Sequence, residues 1–309
     1  MKQINKVGLI GLGAIGGIVA EKLARTKNLE FSVLADGKRI DRYLNNPISI
    51  NNTPLYLEYL APENAAPMDL ILVAVKHHHL AATMETMKPF VGPDTILLSL
   101  MNGIVSEEIL AASFPQATIL PAMIVKIDAV REAGNVRFSL PGIIHFGHEN
   151  PDHPAIKLVS DLFKKAGIEY HVPEDLDRDM WWKFMINVGI NQVSAILQAP
   201  YQLFQTKELP NILVDAAMHE VIALAQAEGI NLKADDVMEW KKVLMSLHPA
   251  MKTSMCQDME AKRKTEVEAF AGVVIERAKK VGIKTPTNEM LFATIRSMEL
   301  KNQMMAKSL

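Results

Sequence analysis

Apolar residues in the first half of the chain come in short continuous runs separated by helical segments and turns. Residues 7–10, 31–34, 69–76 (DLILVAVK) and 95–100 (TILLSL) read as strands, and 118–125 repeats the pattern more weakly. Near-continuous apolarity, in place of strict alternation, is expected of strands covered on both faces of a parallel sheet. Between them, 14–27 carries Ile15, Ile18, Val19 and Leu23 at helical spacing, and 80–87 and 106–112 read as further helices. Strands alternating with helices at this pitch predict a doubly wound α/β domain. The Pro141-Gly142 step between apolar runs in 135–147 predicts a hairpin that closes it.

From about Pro173 onward the pattern changes. Segments 175–199, 209–228, 234–247, 253–281 and 288–298 favour helix, and strand signals almost vanish. The segment 253–281 exceeds the mean helix length and is expected to form one long central helix. The chain thus divides into an expected doubly wound α/β domain over 1–170 and an all-helical domain over 171–309. No repeat, low-complexity tract or flexible linker separates them, so a cleft between the two halves is expected.

Composition changes this picture mainly by exclusion. The 309 residues include 33 Lys+Arg and 35 Asp+Glu, a net charge of −2, which lacks the basic surplus of a nucleic-acid binder. The single cysteine, Cys256, forbids an intramolecular disulfide and fits a reducing compartment. Lys2 and Lys6 ahead of the apolar run 7–20 imitate an export signal, but Gly11, Gly13, Gly16 and Gly17 spoil its helix and charged Glu21 and Lys22 follow. No apolar stretch approaches the ~20 residues that span a bilayer. The expectation is a soluble, cytoplasmic protein with neither membrane nor nucleic acid as partner. His77-His78-His79 point in different directions with no carboxylate nearby, so no metal site is expected.

Gly11-Leu12-Gly13-Ala14-Ile15-Gly16 matches G-x-G-x-x-G, follows a strand and opens a helix. The first glycine permits the tight turn and the second lets backbone approach a pyrophosphate. The third allows close helix–strand packing, while the helix terminus offers amide donors. Asp36 ends the second strand, where an acidic residue accepts hydrogen bonds from the ribose of NAD, yet Lys38 and Arg39 beside it suit the 2′-phosphate of NADP. A solvated turn is the plainer reading of Asp36-Gly37-Lys38-Arg39. Lys76 and Asn102 both end strands, the edge where ligands gather in open α/β sheets. In the second half, Lys183, Asn187 and Asn191 stand at i, i+4 and i+8 within WWKFMINVGIN, along one face of a mostly apolar helix. A lysine and two amides there point to a polar site lining a cleft, the alternative being a stripe with a snorkelling lysine. Ser254, Asp258 and Glu266, at multiples of four, are expected along the long helix; an exposed pairing of Glu266 with Lys262 and a structural ion pair for Asp258 are the competing roles.

GLGAIG, Lys76 at a strand end, Asn102-Gly103, WWKFMINVGIN and SMCQDMEAKRKTEVEAFAG together resemble the ketopantoate reductase family over essentially the whole chain. The resemblance implies a Rossmann domain followed by a helical domain, with the active site in the cleft between them. The implied reaction is NADPH-dependent reduction of 2-ketopantoate to D-pantoate, on the route to pantothenate and coenzyme A. It also implies Lys183 as catalytic acid with Glu266 as its partner, and Asn102, Lys183, Asn187, Asn191 and Ser254 as substrate-binding residues. Residues Gly11, Leu12, Gly13, Ala14, Ile15, Gly16, Asp36, Lys38, Lys76 and Asn102 would hold NADP(H), with NAD(H) admitted by Asp36. This chain departs from the family pattern at Asp36, where an arginine is frequent, and at Met251 and Tyr201, where asparagines are. Reduction of another branched 2-oxo acid, or a non-catalytic redox-sensing role, are the alternatives, and a homodimer built on the helical half is compatible with either.

Overall fold

A computed structural model describes residues 3–307; Lys2, part of the apparent export signal, lies outside the described residues. The chain divides into two compact units, 1–176 and 177–309.

The first unit opens with β1 (Lys6–Ile10), α1 (Ala14–Ala24), β2 (Glu30–Leu34) and α2 (Gly37–Asn45). Three short strands follow, β3 (Ser49–Ile50), β4 (Thr53–Pro54) and β5 (Tyr59–Leu60), and then β6 (Leu70–Val73), α3 (Leu80–Met87), β7 (Ile96–Ser99), α4 (Ser106–Ser113) and β8 (Thr118–Leu120). It closes with β9 (Ala122–Ile127), β10 (Val130–Glu132), β11 (Asn135–Arg137), β12 (Pro141–Phe146), α5 (Pro154–Ala166) and β13 (Tyr170–His171). Six strands form an all-parallel sheet in the order β5-β2-β1-β6-β7-β8. β6 and β7 are buried at every residue, which is why their sequences are uninterrupted Leu, Ile and Val apart from Ser99. Strand order reverses beside β1, so the carboxyl ends of β1 and β6 flank the switch point where ligands settle in doubly wound sheets.

Three expectations fail here. The segment 118–125 is not one strand: Pro121 separates β8, in the parallel sheet, from β9, which pairs antiparallel with β12 in a second sheet. Proline lacks the N–H that would continue the ladder. The hairpin turn lies at Ala133-Gly134, both at positive φ (46° and 85°), and joins β10 to β11. Pro141-Gly142 instead starts β12, where a proline is tolerated at the first strand position. α1 also ends at Ala24, three residues early. The β10–β11 hairpin joins β3 and β4 in a third sheet, whose Ile50 and Val136, with Ile48 just before β3, come close to Gly17 of α1.

The described residues of the second unit form helices joined by turns and loops, with no strand among them. α6 (Leu176–Ile186) starts at its boundary and runs through a π-turn over Asn187–Asn191 into α7 (Gln192–Leu197). α8 (Tyr201–Thr206), α9 (Leu209–Ala227), α10 (Asp235–Ser246), α11 (Ser254–Glu260), a second π-turn over Glu268–Gly272, α12 (Val273–Lys280) and α13 (Pro286–Lys307) follow. The expected long helix over 253–281 is therefore broken. Lys262 takes a left-handed φ of 53°, and the Thr265 amide and hydroxyl donate to Glu299 Oε1 at 2.7 and 2.6 Å. Among the described residues no helix is long and apolar enough to cross a membrane.

Candidate active site

The glycine loop at the carboxyl end of β1 is shaped by close approaches that leave no room for a side chain. Gly11 has φ +99°, and a Cβ there would stand 2.5 Å from the Ala74 carbonyl oxygen just past β6. A Cβ on Gly16 would come within 1.9 Å of the Gly11 carbonyl, so α1 can enter this close to β1 only with glycine. At Gly13 the Cβ position is open, its nearest neighbour being the Ala74 oxygen at 3.9 Å. Gly13 is also the N-cap of α1, with no side-chain cap, and no acidic residue stands in the first turn. Amide donors, an open approach and no competing carboxylate fit a pyrophosphate, so the loop passes the test that a dinucleotide sets. Leu12 is buried in the core below, while Ala14 and Ile15 pack partly against it.

Asp36 is the N-cap of α2. It accepts from the Arg39 amide at 2.9 Å, with the Arg39 guanidinium Nε at 3.5 Å. The segment 36–39 is thus a helix start and not a solvated turn, and the Asp36 carboxylate already has donors. Lys38 beside it is exposed. Lys76 is half-buried, three residues past β6 and at the N-cap of a short 3-10 turn over His77–His79. Asn102, half-buried, follows β7 and precedes Gly103 at φ +102°. Beneath this loop Ser99 Oγ and Ser106 Oγ stand 2.8 Å apart, and Ser106 Oγ donates to Glu107 Oε2 at 2.8 Å. Burial pushes the Glu107 carboxyl up to about 7, against the opposing pull of hydrogen bonds from its own amide, Ser106 and the Ala122 amide. Sequence reading passed over Glu107, because an acidic residue in the first turn of a helix is ordinary.

In the second unit Lys183 lies in the last turn of α6, half-buried. Asn191 Nδ2 donates to Asn187 Oδ1 at 3.2 Å across the π-turn, and Asn191 is buried. Gly189 lets this turn meet α9: a Cβ there would strike Met218 Cγ and Cε at 2.7 Å. α11 packs against α7 and the same π-turn, and the two π-turns touch each other. Ser254, exposed, opens α11 directly after its N-cap Thr253, whose Oγ1 accepts from the Cys256 amide at 3.1 Å and lies 2.7 Å from Ser194 Oγ. Glu266 is buried two residues before the second π-turn. It does not share a helix with Ser254 and Asp258, because the chain breaks between them. The exposed i,i+4 pair that forms is Lys264–Glu268 at 2.9 Å, while buried Asp258 binds the Arg263 guanidinium at 2.9 Å. Cys256 is buried between Met255 and Met259, and burial pushes its thiol up to about 11. No group of three or more potential metal ligands occurs among the described residues.

Comparison with known proteins adds to this geometry. The family model described as ketopantoate reductase PanE/ApbA matches residues 7–151, and that described as ketopantoate reductase PanE/ApbA C terminal matches 175–299. A 2-dehydropantoate 2-reductase of Caulobacter vibrioides is 28% identical, over 96% of this chain and 100% of that one. The crystal structure of 2-dehydropantoate 2-reductase from Geobacter metallireducens GS-15 aligns with a TM-score of 0.83 at 27% identity, covering 94% of this chain and 99% of that one. A ternary structure of D-mandelate dehydrogenase with NADH and anilino(oxo)acetate shares the fold, with a TM-score of 0.86 at 20% identity, covering 96% of this chain and 99% of that one.

Proposed function

The chain belongs to the ketopantoate reductase family, and from that premise we propose that it reduces 2-ketopantoate to D-pantoate with NADPH. A reduced nicotinamide dinucleotide, bound through the glycine loop of the first unit, would supply the hydride for the substrate's carbonyl carbon. As that carbon accepts the hydride, negative charge builds on the carbonyl oxygen. The Lys183 ammonium stabilises this charge and passes it a proton, and solvent reprotonates the resulting amine. Glu266 keeps the ammonium aimed at the oxygen. Asn187, with its oxygen bonded to Asn191, retains two N–H donors for the substrate carboxylate. Asn191 and Ser254 take the remaining substrate oxygens, and Asn102 binds ribose or substrate at the end of β7. Residues 11–16 and Lys76 hold the dinucleotide phosphates, with Lys38 on the adenosine side.

The observation that carries this reading is the contact between the two π-turns. It brings the segment bearing Lys183, Asn187 and Asn191 to the segment that follows Glu266, although about 80 residues of chain separate them. The test is turnover of 2-ketopantoate by the purified protein with NADPH and then NADH, followed by absorbance of the reduced cofactor. Lys183→Ala is expected to lower kcat by about 10²- to 10⁴-fold while leaving NADPH affinity unchanged. Undiminished turnover in that variant removes Lys183 as the acid.

A second reading, reduction of a different branched 2-oxo acid, draws on one feature. The two substrate-side departures from the family pattern meet: the Tyr201 amide donates to the Met251 carbonyl at 2.9 Å. Burial, then Cys256, pushes the Tyr201 phenol up to about 12, so it stays neutral. A phenol and a thioether in place of two amides favour a side chain without the terminal hydroxyl of ketopantoate. Greater kcat/KM with 2-ketoisovalerate than with 2-ketopantoate would select this reading.

A further inference from the structure

The chain contains nine arginines, and seven of them pair with an aspartate or glutamate. Among the described residues the two without a carboxylate partner are Arg42 and Arg131. These two are neighbours. Arg131 on β10 lies within electrostatic reach of both Arg42 and Tyr43 on α2, and the Arg42 guanidinium sits 5.6 Å from the centre of the Tyr43 ring. Tyr43 in turn stacks on Tyr59 of β5 at 5.6 Å.

The place where they meet matters as much as their lack of partners. Arg131 donates from its guanidinium to the Leu12 carbonyl, between the first two glycines of the loop. Arg42 stands on the helix that Asp36 caps, one strand over from β1. The pair therefore spans from the glycine loop to α2, the side of a doubly wound sheet that receives the adenosine ribose. The carboxylate that would receive the ribose hydroxyls of NAD there is Asp36, and it is bonded to the Arg39 amide with the Arg39 guanidinium alongside. Partial burial makes the Arg131 cation harder to hold, and Arg42 pushes in the same direction while Tyr43 opposes. Two neighbouring cations without a carboxylate make a site whose missing partner is an anion. A guanidinium that spends one N–H on Leu12 keeps four more for phosphate oxygens.

We propose that Arg131 and Arg42 form the subsite for the adenosine 2′-phosphate and set a preference for NADPH over NADH. The proposal rests on the dinucleotide binding proposed above and adds the residues that choose between the two cofactors. Arginine suits the task because its planar fork matches phosphate oxygens two at a time. The hairpin that carries Arg131 follows β9, far in sequence from the end of β2, where such an arginine is usually sought.

The experiment titrates the full-length protein with 2′,5′-ADP and with ADP by calorimetry, and with NADPH and NADH by fluorescence. The wild type should bind 2′,5′-ADP more tightly than ADP. Arg131→Ala and Arg42→Ala should each weaken 2′,5′-ADP and NADPH by about tenfold or more, with ADP and NADH within about twofold of wild type, and Arg131→Lys should recover part of the loss. Equal weakening of ADP and 2′,5′-ADP, or no change in either, overturns the proposal. Should Arg131→Ala unfold through loss of its bond to Leu12, Arg42→Ala decides, since it touches no loop backbone. Wild-type protein that binds NADH and reduces a 2-oxo acid, together with variants whose NADPH and 2′,5′-ADP affinities match the wild type, defeats the subsite and leaves the reductase standing. Absence of all four ligands' binding defeats both.

Discussion

Glu107 offers a direct test of whether burial beneath the Asn102 loop governs the chemistry of the first unit. Its Oε2 accepts from Ser106, which in turn contacts Ser99, while Oε1 is buried without a hydrogen-bond partner. The carboxyl is raised from an ordinary 4.5 to about 7, chiefly by desolvation. A carboxyl with a raised pKa is protonated in the native state at pH values where the unfolded chain has already lost its proton. The native state then binds more protons than the unfolded state, so stability falls as pH rises. The contribution is whole below 4.5 and gone above about 7. At about 1.4 kcal/mol per pH unit, that interval amounts to about 3 kcal/mol. Glu107→Gln keeps the shape and cannot ionise, so it should overtake the wild type as pH rises. Urea unfolding of both proteins from about pH 5 to about pH 8 should show the stability difference swing by about 2–3 kcal/mol in favour of the variant. A difference that stays flat, or a carboxyl ¹³C shift that titrates near the ordinary value, would refute the reasoning.

The remaining predictions concern geometry. Gly16→Ala places a Cβ 1.9 Å from the Gly11 carbonyl, so the loop must open; NADPH affinity should fall by at least about tenfold and calorimetric Tm by a few degrees. Gly189→Ala drives a methyl into Met218, with 2.7 Å to two of its atoms. It should cost about 1–3 kcal/mol in urea unfolding and raise KM for the 2-oxo acid while leaving NADPH affinity alone. Thr253→Ala removes the α11 cap and the partner of Ser194 Oγ. It should lower stability by about 1–2 kcal/mol, with Thr253→Ser restoring most of the loss.

What the sequence revealed and what it concealed divide by the range of the forces involved. β6 and β7 were legible because burial on both faces leaves an unbroken apolar run, and the glycine loop because no other residue fits against Ala74 and Gly11. The break in 253–281 was not, since local propensity favours continued helix through Ala261 to Lys264. It is imposed by bonds from Thr265 to Glu299, 34 residues away, and by the Arg263 amide reaching back to the Asp258 carbonyl. The hairpin turn was misplaced for a similar reason: Ala133 adopts a left-handed φ that alanine seldom takes, so Pro141-Gly142 carried the stronger local signal.

The candidate site combines both situations. The spacing of Lys183, Asn187 and Asn191 singles out this segment as a candidate, but a regular helix would have carried all three along one slowly drifting face. The π-turn widens the backbone between Asn187 and Asn191, and the side-chain bond between the two amides spans that wider turn. A second π-turn follows Glu266, and the two irregular turns pack together. Each irregular turn alone gives up regular helical hydrogen bonding; together they join the lysine-bearing and glutamate-bearing segments, which no single helix could have supplied. The same logic separates the two arginines from the rest of the chain's charges. Arg131 reaches the glycine loop through a hairpin turn that sequence signals placed elsewhere, so its meeting with Arg42 depends on a feature only the fold supplies.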